Sequence, residues 1–267
     1  MAITSLAGIE SGTVQSAYLI KPTSVSGTLI RPQNLLYVGG GYPGNASVNS
    51  NGLSGAAVTS YTGSIDIPYA SNTTYIKAVN VSAATAGIFM LCDLLWHNSG
   101  LSLTSTTSQT INSVAFAARD NNESANGEGV IVALFITGAT GSGTPVLSLG
   151  YTNQAGTASR LSNGVSVSAS STAAGASYFF GLQNGDTGIR SIQSYQQDVT
   201  WTSGTAHLAA FRPILTVPVY SSVKRYYADI TENGLVKIFN GSVLFGIYFS
   251  SSGNMSGMSA TIEYTQG

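Results

Sequence analysis

The chain has 267 residues, 10 basic and 11 acidic side chains, a net charge of −1 and an apolar share of 43%. Charged residues make up only 8%, against roughly 25% in an ordinary soluble domain; 38 Ser, 27 Thr, 17 Asn and 31 Gly together supply about 42%. The apolar share excludes wholesale disorder, and the sparse, balanced charge excludes a basic stripe for nucleic acid or an acidic solvating tail.

The single cysteine, Cys92, excludes an intrachain disulfide framework and a cysteine-rich zinc site. The opening MAITSLAGIESG has neither the basic n-region nor the long apolar h-region of a secretory signal. The most apolar stretch, Gly87 to Trp96, is shorter than the roughly 20 residues of a membrane-crossing helix and contains Asp93. The expectation is a protein made in a cytoplasm, with no membrane partner.

Taken in chain order, the first 60 residues differ from the rest. They carry Pro22, Pro32 and Pro43, the Gly39-Gly40-Gly41 run and apolar residues without sustained period, among them Leu6, Ile9, Val14, Tyr18, Leu19, Ile20, Leu29, Ile30, Leu35 and Leu36. This predicts an N-terminal arm or irregular β-layer over 1–60. Strands are predicted at Tyr75 to Val81, Gly87 to Trp96 and Ile111 to Ala117. Val130 to Ile136 is a continuous apolar run bounded by glycines, the pattern of a strand buried on both faces. Val146 to Tyr151, Val165 to Ala169, and Tyr178 to Leu182 follow, the last closed by the turn dipeptide Asn184-Gly185. Ile189 to Tyr195 alternates with period two. Ala206 to Val217 is apolar but contains Pro213, which predicts an edge or an exit at its end.

Beyond Val217-Pro218-Val219, read as a hinge, further strands are predicted at Leu235 to Phe239, Val243 to Phe249 and Ala260 to Tyr264. Asn233-Gly234 and Asn240-Gly241 suggest hairpins among them. Few windows stay free of Gly, Pro or Ser/Thr clusters for three turns, so helix is disfavoured. The fold class is all-β: an antiparallel, jelly-roll-like β-sandwich over 61–217, an extended segment over 1–60 and a small β-hairpin appendage over 218–267.

Chemistry-bearing residues are few. His97 and His207, the only histidines, read as ordinary strand residues, and Cys92 as a buried thiol without a cationic neighbour. Gly39, Gly41 and Gly44 satisfy a G-x-G-x-x-G spacing, but the loop-like Asn45 to Ser50 follows where a pyrophosphate needs a helix N-terminus. Asp120, Asn122, Ser124, Asn126 and Glu128 alternate oxygen donors as in part of a calcium loop, with Ile131 where a bidentate Glu belongs. Asn-x-Ser/Thr sequons at Asn45, Asn72, Asn80, Asn122, Asn240 and Asn254 fit the Asn, Ser and Thr content by chance.

Tyr37, Tyr42, Tyr61, Tyr69, Trp96, Trp201 and Tyr226-Tyr227 are the rings that could stack on a glycan, which keeps a receptor- or glycan-binding β-sandwich module as the alternative reading. The 11 acids are scattered, with no paired carboxylates apparent in the sequence. No catalytic, cofactor-binding or metal-binding residue is assigned, and no cofactor is expected.

Several phrases together carry a resemblance. They are Leu95-Trp96-His97-Asn98-Ser99-Gly100-Leu101, Gln109-Thr110-Ile111, Ala118-Arg119-Asp120, Leu149 through Thr157, Gly181 through Ser191, and Thr200-Trp201-Thr202-Ser203-Gly204. Over about Tyr75 to Val217 the chain resembles a recurrent virion structural protein of tailed bacteriophages, similar to capsid decoration or cement proteins. The resemblance implies a non-enzymatic β-sandwich, often a homotrimer, seated on the outside of a head with the major capsid protein as partner. It places the chain in the virion, on the capsid exterior, and in the host cytoplasm during assembly. The 1–60 segment is expected to provide attachment.

Overall fold

The computed structural model describes residues 3, 5–22, 31–38, 40–47, 50–68, 73–168, 172–220, 226–229, 234, 236–252, 255 and 257–267. Leu29, Ile30, Gly39, Tyr69, Asn72, Ala169, Asn233, Leu235 and Asn254, singled out above, lie outside them, as does the side chain of Tyr227. Among the described residues no helix is long and apolar enough to cross a membrane.

A short helix, α1 (Leu6–Ser11), opens the chain, and Ser5 caps it by accepting from the Gly8 amide at 3.2 Å. The strands follow as β1 (Val14–Lys21), β2 (Pro32–Asn34), β3 (Ala56–Ala57), β4 (Thr74–Ala83), β5 (Gly87–His97) and β6 (Gln109–Thr110). Next come β7 (Ile131–Gly138), β8 (Val146–Asn153), β9 (Arg160–Leu161), β10 (Val165–Ser166), β11 (Ser177–Phe179) and β12 (Ile189–Gln197). The last are β13 (Thr205–Val219), β14 (Tyr226–Asp229), β15 (Lys237–Ile238), β16 (Leu244–Ser250) and β17 (Met258–Gln266).

They form three antiparallel sheets. The central sheet has the order β11-β7-β13-β5-β16-β2, with β3 also on β5. A second sheet runs β10-β8-β12-β6 with β9 on β8, and a third runs β1-β17-β4-β14 with β15 on β4. The expected all-β antiparallel sandwich is present.

Side-chain parity on the central sheet places the other two sheets side by side on one of its faces. Leu134, Leu208 and Ala210 pack with Leu149, Tyr151 and Tyr195 of the second sheet. Further along the same face, Leu91, Val217 and Val219 pack with Val79, Val81 and Ile262 of the third. The opposite face carries Cys92, Leu94, Phe135, Phe211 and Phe245. It is covered by irregular chain from the first 65 residues, with Leu36, Tyr37, Val58 and Tyr61 packed on it.

Strands from 1–60 and from 218–267 therefore share sheets with the middle of the chain. β1 pairs with β17 over eight residues, from Val14↔Thr265 to Lys21↔Met258. Lys21, fully buried, fastens the covering loop: its Nζ lies 2.7 Å from the Pro43 carbonyl and 3.4 Å from those of Val38 and Gly44.

The edge expected at the proline-containing end of Ala206 to Val217 is present, with β13 running on to Val219, whereas two other sequence expectations are corrected. The pairing of β13 with β7 stops at Phe211, so Pro213 and Pro218 lie where the ladder continues on β5 alone, and a register shift follows Pro213. A missing N–H costs no ladder bond there. Ile111 to Ala117 is not a strand: Asn112 has φ 43°, and the segment crosses between sheets. Ser113 N donates to Ile192 O of β12 at 2.9 Å, whereas Ala117 N donates to Leu95 O of β5 at 3.2 Å. The Tyr178 to Leu182 strand closes at Phe179.

Candidate functional site

The junction of the two cores on one face of the central sheet holds an ion cluster. Asp93 on β5 stands opposite Arg212 on β13, between the cluster around Leu134 and that around Leu91. Asp93 is 0% exposed and is saturated. Arg119 grips it through Nε–Oδ2 and Nη2–Oδ1, both 3.0 Å. Ser242 Oγ donates to Oδ2 at 2.7 Å and Val243 N to Oδ1 at 2.8 Å. Arg119 also donates to the Val58 and Leu94 carbonyls at 3.0 and 2.9 Å, tying β5 to the covering layer.

Arg212 stays at 3.8 Å from Asp93 Oδ2 and stacks 4.4 Å over the Phe239 ring. Burial lowers its pKa. It lines a cleft of about 470 Å³ with Asn121, Asn122, Glu123, Lys237 and Phe239, where Lys237 Nζ meets Glu123 at 2.8 Å. Both cations of this cleft thus face acidic or aromatic partners. Among the described residues Arg212 Nε and Nη2 have no hydrogen-bond partner, but they are buried from solvent.

The two histidines, 110 positions apart in sequence, come together on the covered face. Their ring centroids lie 5.6 Å apart, with exposures of 2% for His97 and 3% for His207. The Tyr37 hydroxyl reaches His207 Nε2 at 3.2 Å and also bonds to the Tyr61 hydroxyl, which donates to Ser47 O at 3.1 Å. Burial, and then the neighbouring His97, lowers His207 to about 3. Burial also lowers His97 and raises Tyr37 and Tyr61. Neutral imidazoles packed among aromatic rings serve as core filling, with the Tyr37 hydroxyl satisfying one ring nitrogen. Sequence reasoning treated them singly because the register that joins β5 to β13 is not local.

The Asp120 loop turns its carboxylate inward. Oδ1 accepts from the Asn122 and Ser124 amides at 2.9 and 2.8 Å; Oδ2 accepts from Ser124 Oγ and the Gly127 and Glu128 amides at 2.8 to 3.0 Å. Burial raises its pKa, but these donors outweigh that and hold the carboxyl below its ordinary range. The acid fills its own nest of N–H groups, an anion-holding geometry opposite to that of a calcium loop. Among the described residues no group of three or more His, Cys, Asp or Glu is placed to hold a metal ion.

The phrases Leu149 to Thr157 and Gly181 to Ser191 meet at a second lock. Asp186 accepts from Tyr151 Oη at 2.6 Å, Asn153 Nδ2 at 2.7 Å, and Arg160 Nε and Nη2 at 2.9 and 3.0 Å. The Arg160 guanidinium is the main reason its pKa falls to about 2. Asn153 Oδ1 caps the adjoining turn through the Ala155 and Thr157 amides. These residues hold loops together.

The remaining candidates are structural in the same sense. Cys92 is fully buried, which raises its thiol well above the ordinary range. Gly41 has φ 91°, and a Cβ there would stand 1.9 Å from Ile20 O, so glycine lets the loop approach β1; among the described residues from 42 to 55 there is no helix. Trp96, Trp201 and Tyr37 are core residues, while Tyr42 is exposed.

No family model matches the chain, and no curated protein is similar to it. Among solved structures it is similar to the infectious bursal disease virus VP2 subviral particle, at 8% identity and a TM-score of 0.22, covering 97% of this chain and 81% of that one. The Gt strain structure of that virus gives 10% identity and a TM-score of 0.17, covering 97% and 82%. Its T13 particle gives 10% and 0.20, covering 97% and 78%. TM-scores of this size carry no argument about this chain.

Proposed function

We propose that this is a non-enzymatic structural protein of a phage particle, a decoration protein that binds the outside of the head shell and bridges capsomers. The observation that carries the reading is where its scarce charge is placed. Asp93, Arg119, Asp120, Asp186 and Lys21 are each engaged in fastening strands and loops to one another, while both histidines fill a core. Among the described residues five charged side chains, Glu10, Asp66, Glu123, Arg190 and Asp198, are exposed, and they are scattered along the chain. Such a chain does its work by rigidity and contact area, and the resemblance over Tyr75 to Val217 points to the same role.

The partners in this reading are further copies of the chain, as a homotrimer, and the major capsid protein. Multivalent seating raises the effective concentration of each later contact, so individually weak contacts suffice. The test is co-sedimentation of the purified chain with undecorated heads. Saturable binding in fixed ratio to the capsid protein supports the proposal; no binding to heads, with binding to isolated tails or to host glycan, would replace it with a receptor-binding module.

A further inference from the structure

The edges of the three sheets are unequal. β2, β3, β6, β9, β10, β11, β14 and β15, which border the sheets elsewhere, are each two to four residues long. Very short edge strands are one way a fold avoids joining sheets with its neighbours. Residues 212–219 of β13, paired with β5 alone, form a longer edge but carry Pro213 and Pro218; β1 is an edge strand of eight residues without proline.

Its pairing to β17 runs without a register shift, so backbone direction alternates strictly along it. Ile20 shows which residues face outward, because its N–H and C=O both bond Tyr42, at 2.6 and 2.8 Å, on the side away from β17. Val14, Ser16 and Tyr18 share that parity and direct their N–H and C=O groups to the open edge. Among the described residues none covers them.

The usual protections are missing as well. From Ser11 to Ile20 there is no charged residue and no proline. The outer side chains are apolar: Val14 is 43% exposed, Tyr18 48%, Ile20 45% and the adjoining Tyr42 56%. In a chain whose other edges are short or carry proline, a long, neutral, apolar edge is a surface made for strand pairing.

We propose that this edge is an interface between two copies of the chain, β1 pairing antiparallel with β1 of a second copy about a two-fold axis at Ser16. The occupant follows from self-complementarity. Centred on Ser16, the outward-facing residues pair as Val14 with Tyr18, Ser16 with Ser16 and Tyr18 with Val14, each pair exchanging both backbone bonds. Each Tyr18 ring then lies beside a valine on the same outer face, and no charge opposes another. Identical strands paired in this way close as a two-fold contact and do not propagate. The contact is additional to any trimer axis and independent of the proposed attachment to a head.

Ser16→Cys tests it directly. The native cysteine, Cys92, is buried, and paired residues of a hydrogen-bonded antiparallel pair lie about 5.5 Å apart at Cα, within disulfide reach. Under mild oxidation the variant is expected to form a covalent dimer at least about tenfold faster than Val199→Cys, an exposed control site in the bend after β12, because pairing raises the local thiol concentration. Equal rates at the two sites, or no dimer from Ser16→Cys, would overturn the proposal. Ser16→Pro supplies the second arm. Its lost N–H points away from β17, so the variant should keep the wild-type melting temperature and lose the concentration-dependent two-fold species in sedimentation velocity. A variant that unfolds would show that the N–H was not free, and one that still self-associates equally would show that the edge is not the interface.

Discussion

Arg119→Met probes the centre of the fold. Asp93 has no solvent exposure and accepts four hydrogen bonds, two of them from Arg119 at 3.0 Å. The substitution removes those two bonds and the compensating charge, and it strips the Val58 and Leu94 carbonyls of a shared donor. Breaking a buried pair from one side costs about 3–5 kcal/mol, mostly the penalty of the charge left behind. Since native domains are stable by about 5–15 kcal/mol, between about a fifth and all of the stability should go. Urea unfolding followed by tryptophan fluorescence reads the loss as a drop in midpoint at constant slope. Adding Asp93→Asn should recover at least about 1 kcal/mol, because the stranded charge is gone. A loss below about 1 kcal/mol in the single variant, or a double variant no more stable than it, would refute the idea that this pair pins the two cores.

Leu134→Asp places an unpaired charge in a fully buried strand position and should abolish soluble folding; a normal unfolding transition would show the site is not core. His207 titrates near 3 when folded against about 6.5 unfolded, so its neutral form favours the native state. Stability from this source is complete above about pH 6.5 and is lost as pH falls toward 3, amounting to about 3 kcal/mol at pH 4.5. Comparing urea midpoints at pH 7.5 and 4.5 should therefore show a steeper loss in wild type than in His207→Asn, and parallel losses would contradict it. Lys21→Met removes the ammonium from three carbonyls and should cost about 1.5–3 kcal/mol, with faster amide exchange confined to residues 38–44. A chain starting at Tyr61 loses β1 to β3 and the cover over Phe135, Phe211 and Phe245, and is expected to be insoluble; a folded product would show the segment is dispensable.

The strands legible in the sequence were those whose pattern is local. Val130 to Ile136 is apolar throughout because both faces of β7 are buried, and its glycine borders mark the ends. β1 escaped notice because its outer residues are apolar too, which erases the alternation that an edge strand in water would show. β13 looked interrupted at Pro213 because the cost of a proline depends on which side of the strand has a neighbour, a fact of topology. The internal locks were not legible for the same reason. Arg119 meets Asp93, and His97 meets His207, only through strand register. Asp120 gave a false cation signal: alternating oxygen groups are shared by calcium loops and by self-capping turns, and the direction of the backbone amides separates the two.

A reconstruction of phage heads prepared with this chain tests its proposed role most directly. The expected density is a three-sheet body repeated in fixed ratio to the major capsid protein, seated outside the shell and touching more than one capsomer. Density confined to the tail, or a particle without the chain on its head, would contradict the decoration role.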